Sequence, residues 1–512
     1  MATSAITYTT GAGDPELDAG FERALAAARE APGPPLPHLI DGRERADGAV
    51  FERPDPCDPH RVVSRAHHGD AAVVAEAVAA ARRAQPAWAA TPLAERTAAL
   101  RLLAGRIAAR RVELAGVVSA ETGKIRGEAV PEVQEGVDLI ETYCAQMERE
   151  EGYRIEMGRL SESETNVSIL RPYGVFAVIG PFNFPFALIV NMAAGALVTG
   201  NTVVIKPAEE APRCGALVAE LAAEAGLPAG VVDLVHGDER TGRALVDAQV
   251  DGVAFTGSAE AGHAIARALH TRTPLRPLIA EMGGKNPAVV AASADLDAAA
   301  EGIARSAFGL SGQKCSSCSR AIVARERHDE LVAKIVARAE ALKVGDPADP
   351  ASSLGPVVNP AAAERYRAAV SEARRDGRIA TGGVEPAGCF VSPTVVTGLP
   401  RGHRLTREEL FLPFLTVTAV DSFEEALAEA NAVDYGLIAG VYTSDSAEEA
   451  EFLERAEAGV LFVNRRAGAT TGAWPGIQAF CGWKASGASG KGGLGPHYLP
   501  QFMREQSRTI VR

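Results

Sequence analysis

Between residues 175 and 281 the chain alternates short apolar runs with longer helical patterns. That alternation restricts the fold more than any other feature. The runs are Val175–Ile179, Thr202–Ile205, Val231–Val235, Val253–Phe255 and Leu278–Ala280, and helical spacing fills 185–199, 212–225, 241–247 and 259–270. Strands apolar on both faces are covered on both faces, and the intervening helices supply that cover. The expectation is an α/β fold with a doubly wound parallel sheet. Ligands of such sheets bind beyond the carboxyl ends of the strands. Unusual residues stand there: Asn183 after the first run, Lys206 after the second, Gly237 after the third, Gly257-Ser258 after the fourth and Glu281 after the fifth. The spacing from Gly237 to Gly242 is a G-x-x-x-x-G, a weak signal by itself.

After Asp297 a second αβ pattern runs to about residue 480, with strands expected at Ala321–Val323, Leu415–Val420, Ala439–Tyr442 and Gly459–Val463. Before the first sheet, helical spacing covers Ala71 to about Arg110, with breaks expected near Pro86 and at Thr91-Pro92. Another helix is expected over Glu132–Glu148. Residues 152–171 alternate as a hairpin does, and Ser507–Arg512 read as a terminal strand. Residues up to about 48, with the breaker Pro32-Gly33-Pro34-Pro35, read as a loosely ordered arm. At 512 residues the chain exceeds one hydrophobic core, so two or three domains are expected. Val175 to Ile205 contains no charged residue, but Gly180, Pro181, Asn183, Pro185 and Gly200-Asn201 interrupt it. It reads as strand, turn, helix, turn, strand rather than a membrane span. The net charge of −13 without a basic run makes nucleic acid and anionic membranes poor partners. An odd count of seven cysteines and the lack of a basic-then-apolar start lead us to expect a reducing, cytoplasmic setting.

The chemistry-bearing stretch is Gly312-Gln313-Lys314-Cys315-Ser316-Ser317-Cys318-Ser319-Arg320. Cys315 is the candidate nucleophile. A thiol attacks as its anion, and Lys314 and Arg320 stand close enough in sequence to favour that anion. The competing reading is a small buried hydrophobe. Cys315 and Cys318 also form a C-x-x-C, but no second pair or clustered histidine follows, so no metal site is expected. His67-His68 reads as a solvated pair, and Cys57, Cys144, Cys214 and Cys389 read as structural.

With these pieces in place, the chain from about residue 40 onward resembles the NAD(P)-dependent aldehyde dehydrogenase superfamily. The resemblance is carried by Gly180-Pro181-Phe182-Asn183-Phe184-Pro185, Ile205-Lys206-Pro207-Ala208-Glu209, Phe255-Thr256-Gly257-Ser258, Glu281-Met282-Gly283-Gly284-Lys285, Gly312–Cys315 and Glu408-Glu409-Leu410-Phe411, in family order. Within the superfamily it is most similar to the glutamate-semialdehyde (1-pyrroline-5-carboxylate) dehydrogenases, through Gly312–Arg320, Thr471-Gly472-Ala473, Gln478-Ala479-Phe480 and Ser486–Leu499. The resemblance implies a Rossmann-type dinucleotide domain (1–150 and 172–283), an αβ catalytic domain (284–485) and an oligomerisation hairpin with the C-terminal tail (151–171 and 486–512). It implies a homo-oligomer, dimer or higher.

It also implies roles. Cys315 attacks the aldehyde, Asn183 and the Cys315 backbone N–H hold the oxyanion, and Glu281 activates the water that releases the acid. The dinucleotide site comprises Ile179, Pro181, Phe182, Lys206, Glu209, Gly237, Gly242, Phe255, Gly257, Ser258, Met282, Gly283, Glu409 and Phe411. Lys206 and Glu209 match the pair on the adenosine ribose. A carboxylate there repels a 2′-phosphate, which favours NAD, with NADP as the alternative. Ser316, Gly472 and Ala473 match the holders of a substrate carboxylate. Phe480 matches a residue packed on its aliphatic part, and Glu135 a glutamate near the substrate.

The chain departs from the subgroup at Cys481, Gly482 and Trp483 after Phe480, at Leu412 before Pro413, over Arg465–Thr470 and at Trp474. These departures motivate an alternative substrate, an aromatic or aliphatic aldehyde. A catalytically silent relative is the alternative of another class, against which Cys315, Glu281 and Asn183 stand together.

Overall fold

The computed structural model describes residues 6–8, 15–30, 32–467 and 473–512. The five apolar runs form parallel strands, at Val175–Ile179, Thr202–Lys206, Val232–Leu234, Gly252–Thr256 and Leu278–Glu281. The helices between them are Ala187–Val198, Pro212–Glu224, Glu239–Asp247 and Ala259–His270. In space the order is Leu278–Glu281, Gly252–Thr256, Val175–Ile179, Thr202–Lys206, Val232–Leu234. Successive strands therefore step outward in one direction from Val175–Ile179 and then in the other. The switch lies between Val175–Ile179 and Gly252–Thr256, where the chain diverges and leaves a crevice.

A second seven-stranded sheet runs Arg378–Thr381, Thr394–Thr397, Phe414–Val420, Cys318–Ala324, Asn286–Val290, Ile438–Tyr442, Val460–Val463. All its pairs are parallel except that between Arg378–Thr381 and Thr394–Thr397. The strands at Asn286–Val290, Arg378–Thr381 and Thr394–Thr397 are not among those expected from the sequence. Each is short, and the first begins with Asn286-Pro287, which reads as a turn.

The N-terminal arm is a correction. Pro15–Glu30 is a helix, with Phe21 and Leu25 in the core. His38–Ile40 joins the first sheet antiparallel to Val232–Leu234. The sparse apolar residues of this helix bury against helix Arg111–Thr122, whose Gly116 leaves room for Ala24. Pro86 is a second correction. It lies inside one helix, Ala71–Ala90, and the break falls at Thr91-Pro92. The helix expected at Glu132 begins at Arg126 and carries Pro131 in its second turn, where the missing N–H gives up the bond to the Gly127 carbonyl. His67 and His68 are half-buried rather than solvated. His67 Nδ1 lies 3.2 Å from Gly48 O, and the His68 ring packs 4.6 Å from that of Phe51.

The 152–171 hairpin forms as Arg154–Glu156 against Glu164–Pro172. The terminal strand Met503–Val511 adds to its other side, from Met503 opposite Pro172 to Val511 opposite Glu164. Residues 486–502 do something else first: they fold across Glu281, with Met282 N donating to Ser486 O. Among the described residues no helix is long and apolar enough to cross a membrane.

Candidate active site

The nucleophile loop sits at the amino end of the strand Cys318–Ala324, facing the carboxyl ends of the first sheet. Its backbone is strained. Leu310, Ser311 and Gly312 take φ of 51°, 51° and 69°, and two of the three carry side chains. A side chain at Gly312 would strike Leu412 O. The strain is held by specific bonds. Glu128 Oε1 accepts from Leu310 N at 2.5 Å, Ser311 Oγ donates to Gly355 O at 2.6 Å, and Val358 N donates to Gln313 Oε1 at 2.9 Å. Asn286 Nδ2 donates to Cys315 O at 2.7 Å and to Ser317 O at 3.0 Å.

One helix, Arg126–Arg149, serves three parts of the site. Glu128, Glu132 and Glu135 follow i, i+4, i+7 spacing and so share a face. Glu128 caps the nucleophile loop. Glu132 Oε1 accepts from Phe186 N and Ala187 N, and its Oε2 pairs with buried Lys124 at 2.5 Å. Lys124 Nζ also lies 3.6 Å from the centre of the Phe184 ring. Asn183 is thereby fixed in a clamped turn, and its Nδ2 donates to Gln313 O at 3.0 Å, against the nucleophile loop. Glu135 is the third. The resemblance marks Glu135 alone, whereas Glu128 and Glu132 act on backbone groups over 50 residues away.

Cys315 is partly buried and lines two spaces at once. The first is a cleft of about 430 Å³ at the topological switch. Pro181, Phe182, Asn183, Lys206, Glu209, Phe255, Gly257, Ser258, Met282, Gly283, Glu409 and Phe411 line it with the sulfur. Phe182 and Phe411 meet edge to face at 5.7 Å. Glu409 Oε1 accepts from Gly284 N at 2.8 Å, and a side chain at Gly283 would collide with that carboxylate. Ser258 caps helix Ala259–His270, leaving its first amide groups toward the cleft. Three expected members lie elsewhere. Ile179 packs into the core. Gly237, at φ 144°, makes room for Thr241, whose hydroxyl donates to Gly69 O. Gly242 lies in ordinary contact with the methylenes of Lys206 rather than on the cleft wall. Arg365 lines the cleft and was missed, since an arginine inside a helical pattern reads as surface.

The second space is a cavity of about 80 Å³ lined by Cys315, Glu281, Glu135, Ser316, Ala473 and Phe480, and also by Tyr8, Phe184, Asn191 and Leu494. Gly472 lies outside the described residues. Trp474 turns away: its Nε1 donates to Asp138 Oδ2 at 2.8 Å. The loop over Glu281 is tied down by Tyr143, which accepts from Leu494 N at 3.1 Å and donates to Asn191 Oδ1 at 2.5 Å.

The electrostatics overturn one expectation. Lys314 and Arg320 do not serve the sulfur. Lys314 Nζ points to Glu128 at 3.5 Å, and the Arg320 guanidinium donates to the carbonyls of Lys285, Glu429 and Ala430. Burial, then the Glu409 and Glu281 carboxylates, push the Cys315 thiol up to about 12, while the backbone N–H groups of Ser316 and Cys315 pull the other way. Burial also lifts Glu281 well above the usual carboxylate range, with one oxygen unpartnered. Such a carboxyl is a stronger base once ionised. Burial raises Glu409 to about 7 and lowers Lys285 to about 7. Lys285 Nζ donates to Leu405 O, bracing the segment that carries Glu409. Asn464 fastens a loop, bonding Thr443 N and O through its amide.

A thiol, an amide donor beside it, a buried carboxyl and a dinucleotide-shaped cleft have thus met around one point. Residues 44–507 match the aldehyde dehydrogenase family. The chain belongs to that family. It is an oxidoreductase acting on aldehydes. It is 36% identical over 458 residues to the 1-pyrroline-5-carboxylate dehydrogenase of Geobacillus sp. (strain WCH70), covering 88% of this chain and 87% of that one. With that of Staphylococcus haemolyticus (strain JCSC1435) it shares 37% identity over 442 residues, 85% and 84% of the two chains. The crystal structure of 1-pyrroline-5-carboxylate dehydrogenase from Thermus with bound NAD superposes with a TM-score of 0.95 at 33% identity, covering 100% of this chain and 99% of that one. Lactaldehyde dehydrogenase from Escherichia coli gives 0.87 at 33% identity, over 93% and 99% of the chains.

Proposed function

We propose that this enzyme oxidises L-glutamate 5-semialdehyde to glutamate with NAD. The observation that carries the reading is the 80 Å³ cavity in which Glu135, Ser316, Ala473 and Phe480 surround Cys315. Glu135 offers a carboxylate to the substrate ammonium, and the Ser316 hydroxyl a donor to its distal carboxylate. Phe480 packs on the carbon chain between. The Trp474 indole, the departure that motivated an aromatic aldehyde, does not line this cavity.

The cofactor cleft fits a dinucleotide. Lys206 and Glu209 mark one end and Glu409 and Phe411 the other, with the Ser258-capped helix between. Glu209, on the ribose, disfavours a 2′-phosphate and thus NADP. Bound there, NAD supplies the hydride acceptor. The chain's own residues do the rest. Cys315 Sγ gives up its proton to solvent water and attacks the carbonyl carbon, forming a thiohemiacetal whose oxyanion takes donors from Asn183 Nδ2 and Cys315 N–H. A donor of this kind is worth about 3–4 kcal/mol. Loss of the C–H hydride leaves a thioester. Glu281 takes a proton from water, which adds to the thioester carbon and expels the Cys315 thiolate.

Comparing kcat/KM for glutamate semialdehyde, hexanal and benzaldehyde tests the substrate. A pocket built on hydrogen bonds rejects an analogue lacking the bonded group by factors on the order of 10⁴. Glutamate semialdehyde is expected to lead by such a margin, and a lead for benzaldehyde overturns the reading while leaving Cys315, Glu281 and Asn183 in place.

We propose further that the working form is a homo-oligomer, and that the chain divides into a dinucleotide domain (1–150 and 172–283), a catalytic domain (284–485) and the hairpin with its tail (151–171 and 486–512). The support is the three-stranded ribbon of Arg154–Glu156, Glu164–Pro172 and Met503–Val511, which exposes Ile155, Met157, Leu160, Ile510 and Val511. Exposed apolar strands of this kind invite a partner. Light scattering at micromolar concentration is expected to give at least a dimer mass, and a monomer mass refutes it. A thiol nucleophile and seven free cysteines suit a reducing cytoplasm.

A further inference from the structure

We infer that Tyr8, from the N-terminal segment, is a specificity-determining residue of the aldehyde pocket: its ring forms part of the cavity wall and its hydroxyl holds the Glu135 carboxylate. Tyr8 lies 127 positions before Glu135 and outside the residues that match the family. Its side chain nevertheless lines the cavity that contains Cys315. Three independent contacts fix it there. The hydroxyl donates to Glu135 Oε2 at 2.6 Å. The ring meets Phe184 edge to face at 6.0 Å. It meets Trp474 edge to face at 5.7 Å, and Trp474 is itself anchored on Asp138. This accounts for Trp474, the departure beside the substrate residues. The indole supports Tyr8 from behind rather than entering the pocket.

Two consequences follow for substrate choice. The first is size. The ring is braced on two sides, by Phe184 and by Trp474, in the edge-to-face geometry that aromatic rings favour. A wall held on two aromatic partners therefore yields little to a wider substrate. The second is charge. Burial raises Glu135 to about 7, and the phenol hydrogen bond is the main influence in the other direction. A donor that bonds the anion favours the anion. Tyr8 thus holds the Glu135 pKa down to about 7, so that a fraction of the group is ionised near neutral pH as a carboxylate that attracts a cationic group on the aldehyde. This part rests on the glutamate-semialdehyde reading; the size part does not.

The test uses the full chain with Tyr8→Ala and Tyr8→Phe, each first checked for unchanged NAD binding. Tyr8→Ala removes the wall. Relaxing a pocket by a group of a few carbons shifts selectivity by about 10-fold or more, so kcat/KM for benzaldehyde relative to that for propanal is expected to rise by at least that factor. An unchanged ratio overturns the size role whatever the best substrate of the wild type is. Tyr8→Phe keeps the wall and loses the hydroxyl. KM for glutamate semialdehyde is expected to rise several-fold at pH 7 and to return toward the wild-type value at pH 9, where Glu135 ionises unaided. KM for propanal stays constant across the same range. A KM increase that is equal at both pH values and for both aldehydes overturns the charge role, since a merely structural defect moves them together. If the wild type shows no preference for glutamate semialdehyde, the substrate reading falls, and the benzaldehyde-to-propanal ratio still decides the role of Tyr8.

Discussion

Cys315→Ser is expected to abolish aldehyde oxidation and to leave NAD binding intact. The loss should be on the order of 10⁴-fold or more in kcat, the scale on which removal of a covalent nucleophile is felt. The sulfur already works against its surroundings, since burial and two carboxylates hold its proton on at neutral pH. It succeeds because a thiol remains far easier to ionise, and far more nucleophilic, than an alcohol. A serine hydroxyl in the same place has no base matched to it. The cofactor residues at the Lys206 and Glu209 end of the cleft are untouched, so titration of intrinsic fluorescence with NAD should give the wild-type dissociation constant. The loop should also keep its shape. Its strained residues are held by Glu128, Ser311, Gln313 and Asn286 through bonds that do not involve the sulfur. Near-normal turnover by the variant would remove Cys315 from its role.

Glu281→Gln is expected to separate the two halves of the reaction. The acyl-enzyme still forms, because attack and oxidation need the thiol, the oxyanion donors and the cofactor. Hydrolysis slows by about 10²–10⁴-fold, the usual worth of a positioned general base. Rapid mixing should show a burst of NADH close to one per site and then slow turnover. The wild-type pH profile bears on the same group. Burial raises the Glu281 carboxyl above its ordinary range, so at low pH it is a neutral acid that cannot accept a proton from water. Hydrolysis should therefore fall as pH drops through that raised pKa, well above the range of an exposed glutamate. In the variant this limb disappears, because an amide does not titrate. A variant that loses the burst while hydrolysis of a preformed acyl-enzyme stays fast would move Glu281 to the first half of the reaction.

Much of this protein was legible in its sequence, and the legible part has a common physical character. Strand and helix periodicity is written in residues a few positions apart. The five parallel strands and four helices of the first sheet therefore fall within a few residues of where the pattern of apolar positions puts them. Turn chemistry is equally local. Asn183, Lys206, Gly257-Ser258 and Glu281 stand at strand ends because the strands end there, and all line the two spaces around the nucleophile. The motifs sufficed for the family and the reaction because they are short runs that each carry their own backbone geometry.

What only the tertiary structure decided is where side chains point when their partners are far away in the chain. Lys314 adjoins Cys315, yet its ammonium goes to Glu128, since a buried cation is costly without a carboxylate and one was available there. Arg320 spends its donors on carbonyls at the end of helix Phe423–Asn431 for the same reason. Glu128, Glu132 and Glu135 look alike on one helix face, and their three duties differ only because a loop, a turn and a cavity happen to abut that face. Tyr8 is the extreme case. Nothing within its segment marks it, and its position in the pocket is set by Glu135, Phe184 and Trp474, each more than a hundred residues away. Local patterns determine which elements form; the direction of a buried polar group is determined by whichever partner lets it keep its hydrogen bonds out of water.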